Sequence, residues 1–311
     1  MEPTGVAFIS GEYIPLAEAN VNVMTHSFNY GTGVFEGIRG YWNAAEEQVY
    51  LFRVREHYER LHESARIMGI VVPYSVDELC RVSLEVVRRS MLRQDLYLRP
   101  IAYKSGLGIG VGMTGVSDGF VLFATPMGNY LDTEHGLRCC VSSWRRAGDN
   151  AIPPRAKVTG GYANAALAKH EAQVNGYDEA IMLTDSGVVA EGSAENLFMV
   201  RRGALITPPI TDNVLEGITR ATLMELARTE LHNPVVERTV QRTELYTADE
   251  LFLCGTGAQI LPVIEVDRRP VGAGAIGPLT AALQSRYFDL VRGVSRDHAP
   301  WRLAVYEPAR V

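Results

Sequence analysis

Short apolar runs and amphipathic stretches follow one another along the chain. In VAFISGEYI, Val6 to Ile14, two apolar runs flank Ser10–Gly11, which predicts a hairpin turning at that pair. Val49 to Val54 predicts a strand. From there Val54, Tyr58, Leu61, Ala65 and Met68 recur at helical spacing with Arg and Glu between them, which predicts an amphipathic helix. Asp77 begins a second helix that runs to about Arg93. Leu96 to Tyr103 and Gly119 to Ala124 read as strands. Around PMGNYLDTEHG, Pro126 to Gly136, the pattern breaks into turn residues and predicts a linker.

The second half opens with a strand, Leu137 to Ser143, and an irregular loop, Arg145 to Thr159. A helix is predicted from about Gly161 to Asn175. Short strands follow at Glu179 to Thr184, Val188 to Glu191, Asn196 to Val200 and Leu205 to Thr207. Gly217 to Leu231 predicts a helix. After it come a strand at Val235, a short helix near Thr243, a strand at Glu250 to Cys254, and a final helix from Pro278. Strands and helices are interleaved without strict alternation, so the fold class is α+β rather than a doubly wound sheet. No internal repeat or low-complexity segment shows.

At 311 residues the chain is long enough for two domains. A hydrophobic content of 47% with 21% charged residues is that of a globular protein. The formal net charge of −6 argues against nucleic acid or an anionic membrane surface as partner. No apolar run approaches a membrane span, and no signal peptide is evident, which predicts a cytoplasmic protein. The four cysteines lack C-x-x-C spacing, and the seven histidines lack H-x-x-x-H spacing. Reduced thiols and no metal site are expected.

One charge type does change the picture. Of the 30 basic residues only Lys104, Lys157 and Lys169 are lysines. A lysine can lose its proton when desolvated and act as a nucleophile, which arginine cannot. Lys157 lies in PPRAKVTGGYANAAL, between two prolines and a glycine pair, with Tyr162 close behind. On composition alone a loop lysine is a surface group; here Gly160 and Gly161 allow close backbone approach to something bulky.

Further turns carry anion-binding chemistry. Leu215-Glu-Gly217-Ile218-Thr219-Arg220 opens a helix, where free N–H groups and the dipole favour an anion. Cys254-Gly-Thr256-Gly257-Ala258 can form a backbone nest, or simply a tight turn. Glu191 and Glu195 fall among small residues just after a strand. The run GVGMTG from Gly110 matches G-x-G-x-x-G, but it leads into the strand FVLFA rather than a helix, so it does not make a dinucleotide site. An amine, a carboxylate, a phenol and anion-binding turns are what pyridoxal phosphate requires.

The joint pattern resembles the fold-type IV pyridoxal-phosphate enzymes, and within them the branched-chain amino-acid aminotransferases. The resemblance runs from NVMTHSFNYGTGVFEGIR through FRVREHYERLHESA, YLRP and GIGVG to EGSAENLF, LEGITR and CGTGAQILPV. It implies two α/β domains joined by an interdomain loop: a small domain over 1–125, a linker over 126–136, and a large domain over 137–311 carrying the Schiff-base lysine. Lys157 matches that lysine, Glu191 the carboxylate on the pyridine nitrogen, and Tyr162 the hydroxyl near the ring's phenolic oxygen. Arg60 matches the phosphate-binding arginine; by helical spacing alone it would face solvent and pair with Glu56. Ile218, Thr219 and Thr256 match the other phosphate contacts, Leu215 the residue packed on the ring, and Glu195 a supporting carboxylate. Phe35, Gly37, Arg39, Tyr97, Arg99 and Tyr130 match substrate positions, with Tyr30 close by, and the amides of Gly257 and Ala258 match the α-carboxylate turn. Met127 departs from the pattern, since many bacterial members carry tryptophan there.

The implied reaction is transamination of L-leucine, L-isoleucine or L-valine with 2-oxoglutarate. The implied partners are amino acids and 2-oxo acids, and a second copy of the chain in a homodimer or an oligomer built from dimers. An (R)-amine or D-amino-acid transaminase of the same fold is the alternative, and a non-enzymatic oligomeric binding protein a remote one. Arg39, the Tyr97-Leu98-Arg99 triplet and GIGVG favour the branched-chain group.

Overall fold

The computed structural model describes residues 4–128 and 135–306. By packing, the chain divides into two units. Unit 1 is Met1–Gly128, Ala156–Gly160 and Asp289–Val311; unit 2 is Asn129–Arg155 and Gly161–Phe288. The first half contains β1 (Val6–Ile9), β2 (Glu12–Pro15), α1 (His26–Tyr30), β3 (Gly33–Phe35), β4 (Ile38–Asn43), β5 (Gln48–Phe52), α2 (Val54–Ile67), α3 (Val76–Arg89), β6 (Leu96–Lys104) and β7 (Asp118–Pro126). The second contains β8 (Leu137–Arg145), α4 (Tyr162–Val174), β9 (Glu179–Leu183), β10 (Val189–Gly192), β11 (Asn196–Arg201), β12 (Ala204–Thr207), α5 (Ile218–Thr229), β13 (Val235–Glu237), β14 (Glu250–Gly255), β15 (Gln259–Val266), β16 (Arg269–Pro270), α6 (Pro278–Val291) and β17 (Arg302–Ala304).

Unit 1 is built on a sheet of order β17-β5-β4-β6-β7-β1-β2, with β3 also paired to β6. The hairpin turns at Ser10 and Gly11, both at positive φ, as a two-residue turn of matching twist requires. Strand β6 alternates strictly: Leu96, Leu98, Pro100, Ala102 and Lys104 are buried, while Tyr97, Arg99, Ile101 and Tyr103 share the other, half-buried face. Helix α2 buries Tyr58, Leu61 and Ala65 as its apolar spacing predicts, but also buries His57, Arg60 and Ser64. Helix α3 starts one residue earlier than its acidic first turn suggests. Ser75 caps it in a reciprocal box with Glu78, a device worth about 1 kcal/mol.

Packing assigns Lys157 to unit 1, whereas chain order alone groups it with residues 137–311. The reason is main-chain bonding. Val158 bridges Val34, Phe35 N–H donates to the Lys157 carbonyl (3.0 Å), and Thr159 N–H donates to the Gly33 carbonyl (2.8 Å). Gly160 closes the run on Gly31, where a Cβ would lie 2.7 Å from the Gly160 Cα. The close approach that Gly160 permits is therefore to another backbone segment. Likewise β17 joins unit 1 because it pairs with β5. The linker expected at 126–136 falls largely on 129–134, outside the described residues.

Unit 2 is built on a sheet of order β10-β9-β8-β15-β14-β11-β12-β13, with β16 on β15. Strand β9 is buried on both faces. Ile181 and Leu183 join Leu197, Leu253 and Leu261 on one side, and Ala180 and Met182 pack with Ala168 and Ala172 of α4 on the other. Small residues on α4 let it lie close to the sheet. Among the described residues no helix is long and apolar enough to cross a membrane.

Candidate active site

In unit 1 the sequence between β3 and β4 gathers the first group of residues. Phe35 and Arg39 are buried, and Gly37 lies between them. A Cβ on Gly37 would overlap the Tyr97 hydroxyl, so only glycine fits beside that phenol. Arg39 is the cross-strand partner of Tyr97 and donates to the Gly128 carbonyl (3.0 Å). Arg99 donates to the Tyr97 hydroxyl (3.2 Å) and stacks its guanidinium 4.4 Å from the centre of the Phe35 ring. The same ring faces the Lys157 amine at 5.3 Å. Phe35, Gly37, Arg39, Tyr97, Arg99 and Lys157 are thus brought together. Tyr30, at the end of α1, accepts from the Gly110 N–H (2.8 Å), which ties the glycine-rich loop to that tyrosine. Tyr130 lies outside the described residues.

Lys157 is half-buried and held by its main chain: its N–H donates to Ser64 Oγ (3.2 Å) and its carbonyl accepts from Phe35. Ser64 stands one turn beyond Arg60 on α2. Arg60 is buried rather than solvent-facing. It donates from Nε and Nη2 to the two oxygens of Glu36 (2.6 and 2.9 Å), and His57 Nδ1 meets the same carboxylate at 2.7 Å. Glu36 is fully buried. Burial alone would raise its carboxyl, but Arg60 and His57 outweigh that and hold it well below the usual carboxylate range. Burial pushes the His57 imidazole down, so it is neutral at pH 7 and Nδ1–H is the donor to Glu36.

In unit 2 the second group gathers around Glu191 on β10, which is buried. Its Oε1 pairs with Arg146 Nη2 at 2.8 Å. Its Oε2 accepts from Asn196 Nδ2 (2.9 Å) and from the Leu215 N–H (3.1 Å). Asn196 also donates to the Leu215 carbonyl (2.9 Å), so one amide holds both the carboxylate and the strand entering α5. A Cβ on Gly217 would overlap Asn196 Oδ1. Gly217 is the N-cap of α5 with no side-chain cap, so the helix presents the main chain of buried Ile218 and Thr219 at its positive end. In the β11–β14 register Asn196 faces Cys254, which sets the turn Thr256–Gly257–Ala258 beside residues 194–195. Glu195 accepts from the Ala194 N–H (3.0 Å). Burial first, then the charge of Glu179, pushes its carboxyl up to about 8. Tyr162 opens α4, half-buried.

The sequence profile of the amino-transferase class IV family matches residues 33–266. A probable branched-chain-amino-acid aminotransferase of Aquifex aeolicus is 48% identical over 97% of this chain and 97% of its own. The chain belongs to the class IV aminotransferases, in the branched-chain group. Two solved structures agree in fold. A branched-chain aminotransferase of Thermoproteus uzoniensis, determined with norvaline, has a TM-score of 0.93 at 45% identity, covering 98% of this chain and all of its own. The branched-chain amino acid aminotransferase of Thermobaculum terrenum, determined in its PLP form, has a TM-score of 0.94 at 39% identity, with coverage of 99% and 100%. This is the fold-type IV, mixed α/β architecture that the motifs imply.

Several residues of this aminotransferase escaped the sequence reading. Arg146 sits in an arginine pair that offers no spacing to Glu191. Glu36 stands between Phe35 and Gly37, both singled out, yet an acidic residue beside a glycine reads as a turn. His57 and Ser64 share a face with Arg60 by three- and four-residue spacing, and that periodicity is the signal that could have found them.

Proposed function

We propose that this chain transfers the amino group of L-leucine, L-isoleucine or L-valine to 2-oxoglutarate, using pyridoxal 5′-phosphate. The observation that carries the reading is the combination, in one chain, of a main-chain-anchored Lys157 and a buried Glu191 whose oxygens are both engaged by donors. That combination occurs in a chain alike over nearly its whole length to aminotransferases of this substrate class. The donor set fits the cofactor: an amine, a buried carboxylate paired with Arg146, an arginine fixed by its fork, and a helix N-terminus without a side-chain cap.

When bound, the cofactor supplies the electron sink that lets the substrate Cα–H bond break. The Lys157 amine would hold the cofactor covalently and, when free, would take the proton from the substrate Cα. Glu191, steadied by Arg146 and Asn196, would serve the ring nitrogen. Arg60, the amides of Ile218 and Thr219, and Thr256 would bind the phosphate. Leu215 would pack on the ring, Tyr162 would serve its phenolic oxygen, and Glu195 would support Glu191. The Gly257 and Ala258 amides take the α-carboxylate. Tyr30, Phe35, Gly37, Arg39 and Tyr97 would enclose the side chain, and Arg99 would receive the distal carboxylate of glutamate.

A homodimer is part of the reading. Val23, Phe28, Ile109 and Val111 are each more than two-thirds exposed, and the two loops that carry them are joined at Thr25–Leu107. Such a patch suits a second copy of the chain. A reducing, cytoplasmic setting is supported by four cysteines that are all free. The deciding experiment is a donor panel read at the 2-oxo acid product. Turnover of the three branched-chain L-amino acids with 2-oxoglutarate is expected; turnover confined to D-amino acids or (R)-amines would replace the reading with its relative.

A further inference from the structure

Glu36 is a fully buried anion that no step of the reaction uses. It accepts from Arg60 through Nε and Nη2, from His57 Nδ1–H, and from the Gly37 N–H at 3.2 Å. Fork binding of this kind fixes both the plane and the roll of a guanidinium, which a single contact cannot do. The chain on either side of Glu36 is the chain that holds Lys157 and Tyr97: Phe35 bonds the Lys157 carbonyl, and Gly37 packs under the Tyr97 hydroxyl. From the helix side, Ser64 bonds the Lys157 N–H. Arg60 and Lys157 are therefore referenced to one another through two short paths, and Glu36 is the joint of the first.

We propose that Glu36 is a positioning residue that fixes the Arg60 guanidinium for the cofactor's phosphate and ties it to the strand bearing on Lys157. This rests on the phosphate assignment of Arg60 given above. Neutral His57 completes the device. It spends its Nδ1–H on Glu36 and adds no charge, so the counter-charge to the carboxylate comes from Arg60.

The test compares the affinity of the apoprotein for pyridoxal 5′-phosphate with its affinity for pyridoxal, by equilibrium dialysis. Glu36→Gln removes the charge and half the fork. Glu36→Asp keeps the charge, and so the fold, but retracts the acceptor. Both are expected to lower the preference for the phosphorylated form by roughly tenfold or more, while pyridoxal binds as in the wild type, because misplacing one anchoring group costs about that much. A merely structural role would weaken both ligands together and leave their ratio unchanged, and that result in the Asp variant overturns the proposal. Arg60→Gln separates the two levels. If it leaves the ratio unchanged, the phosphate assignment itself fails. If it lowers the ratio and the Glu36 variants do not, only the role of Glu36 fails.

Discussion

Glu36 in unit 1 and Glu195 in unit 2 are the same side chain at almost the same burial, and they titrate in opposite directions. Glu36 faces a guanidinium and an imidazole N–H, which overcome the cost of burial and keep it ionised. Burial weighs most on Glu195, then the charge of Glu179; a main-chain N–H and the Lys169 cation offset them only in part, Glu191 adds to them, and its carboxyl rises to about 8. Burial therefore does not decide what a glutamate becomes; the sign of its neighbours does. Unit 1 spends an ionised carboxylate on holding a cation still. Unit 2 keeps a proton on Glu195, beside the contact of Glu191 with Arg146.

Substitutions test this contrast at several points. The largest effect is expected at Lys157, outside both clusters. Lys157→Ala should cost about 10⁴-fold or more in turnover, with little change in the urea midpoint, because the anchoring bonds of this residue come from its main chain. Borohydride should no longer fix cofactor to the chain; if it still does, another lysine carries the link.

Glu36→Gln deprives a buried guanidinium of its carboxylate and should cost roughly 3–5 kcal/mol in urea unfolding of the apoprotein at pH 7. A loss under 1 kcal/mol would place Glu36 with Glu195 and dissolve the contrast. Arg99→Ala probes the substrate side of unit 1. The half-reaction with glutamate should lose about 2–5 kcal/mol of transition-state binding, and that with leucine far less. Equal losses in single-turnover measurements would assign Arg99 to the α-carboxylate or to structure.

Glu195→Gln should be the mildest, within about 1 kcal/mol of wild type near pH 4 and below, where an amide replaces a carboxyl that is neutral in the folded and unfolded chains alike. Its signature is in the pH profile. The folded chain holds a proton on Glu195 that the unfolded chain releases above the ordinary carboxylate range. The contribution is thus full at low pH and is lost as pH rises toward about 8, with a slope of at most ~1.4 kcal/mol per pH unit. Glu36 runs the other way, contributing above the ordinary range and losing it as pH falls. Urea midpoints measured from pH 5 to 8 should show the downward trend in wild type and not in Glu195→Gln.

The sequence made one face of this arrangement legible and hid the other. Helices α2, α3, α4 and α5 follow from apolar periodicity and caps, to within a few residues at each end. Strands β3 and β4 did not, because Gly33, Gly37 and Gly40 interrupt the apolar pattern and the buried positions include Glu36 and Arg39. Strand β15 was missed because it is buried nearly throughout and carries Pro262, so no alternation marks it. At the site, Lys157 and Glu191 stood out as rare chemistry in small-residue surroundings. Their supports did not, since Glu36 meets His57 and Arg60 from 21 and 24 residues away, and only the fold brings such groups together.

The anchoring of Lys157 bears on how its amine travels. With N–H bound to Ser64 and carbonyl bound to Phe35, the main chain is a fixed post, and the amine reaches its successive positions by swinging its side-chain torsions alone. Side-chain rotations of that kind are fast, on the order of picoseconds to nanoseconds where the chain is free to turn. In the role proposed for it, Lys157 is a short crane on a rigid mast: its amine can reload without the loop beneath it moving.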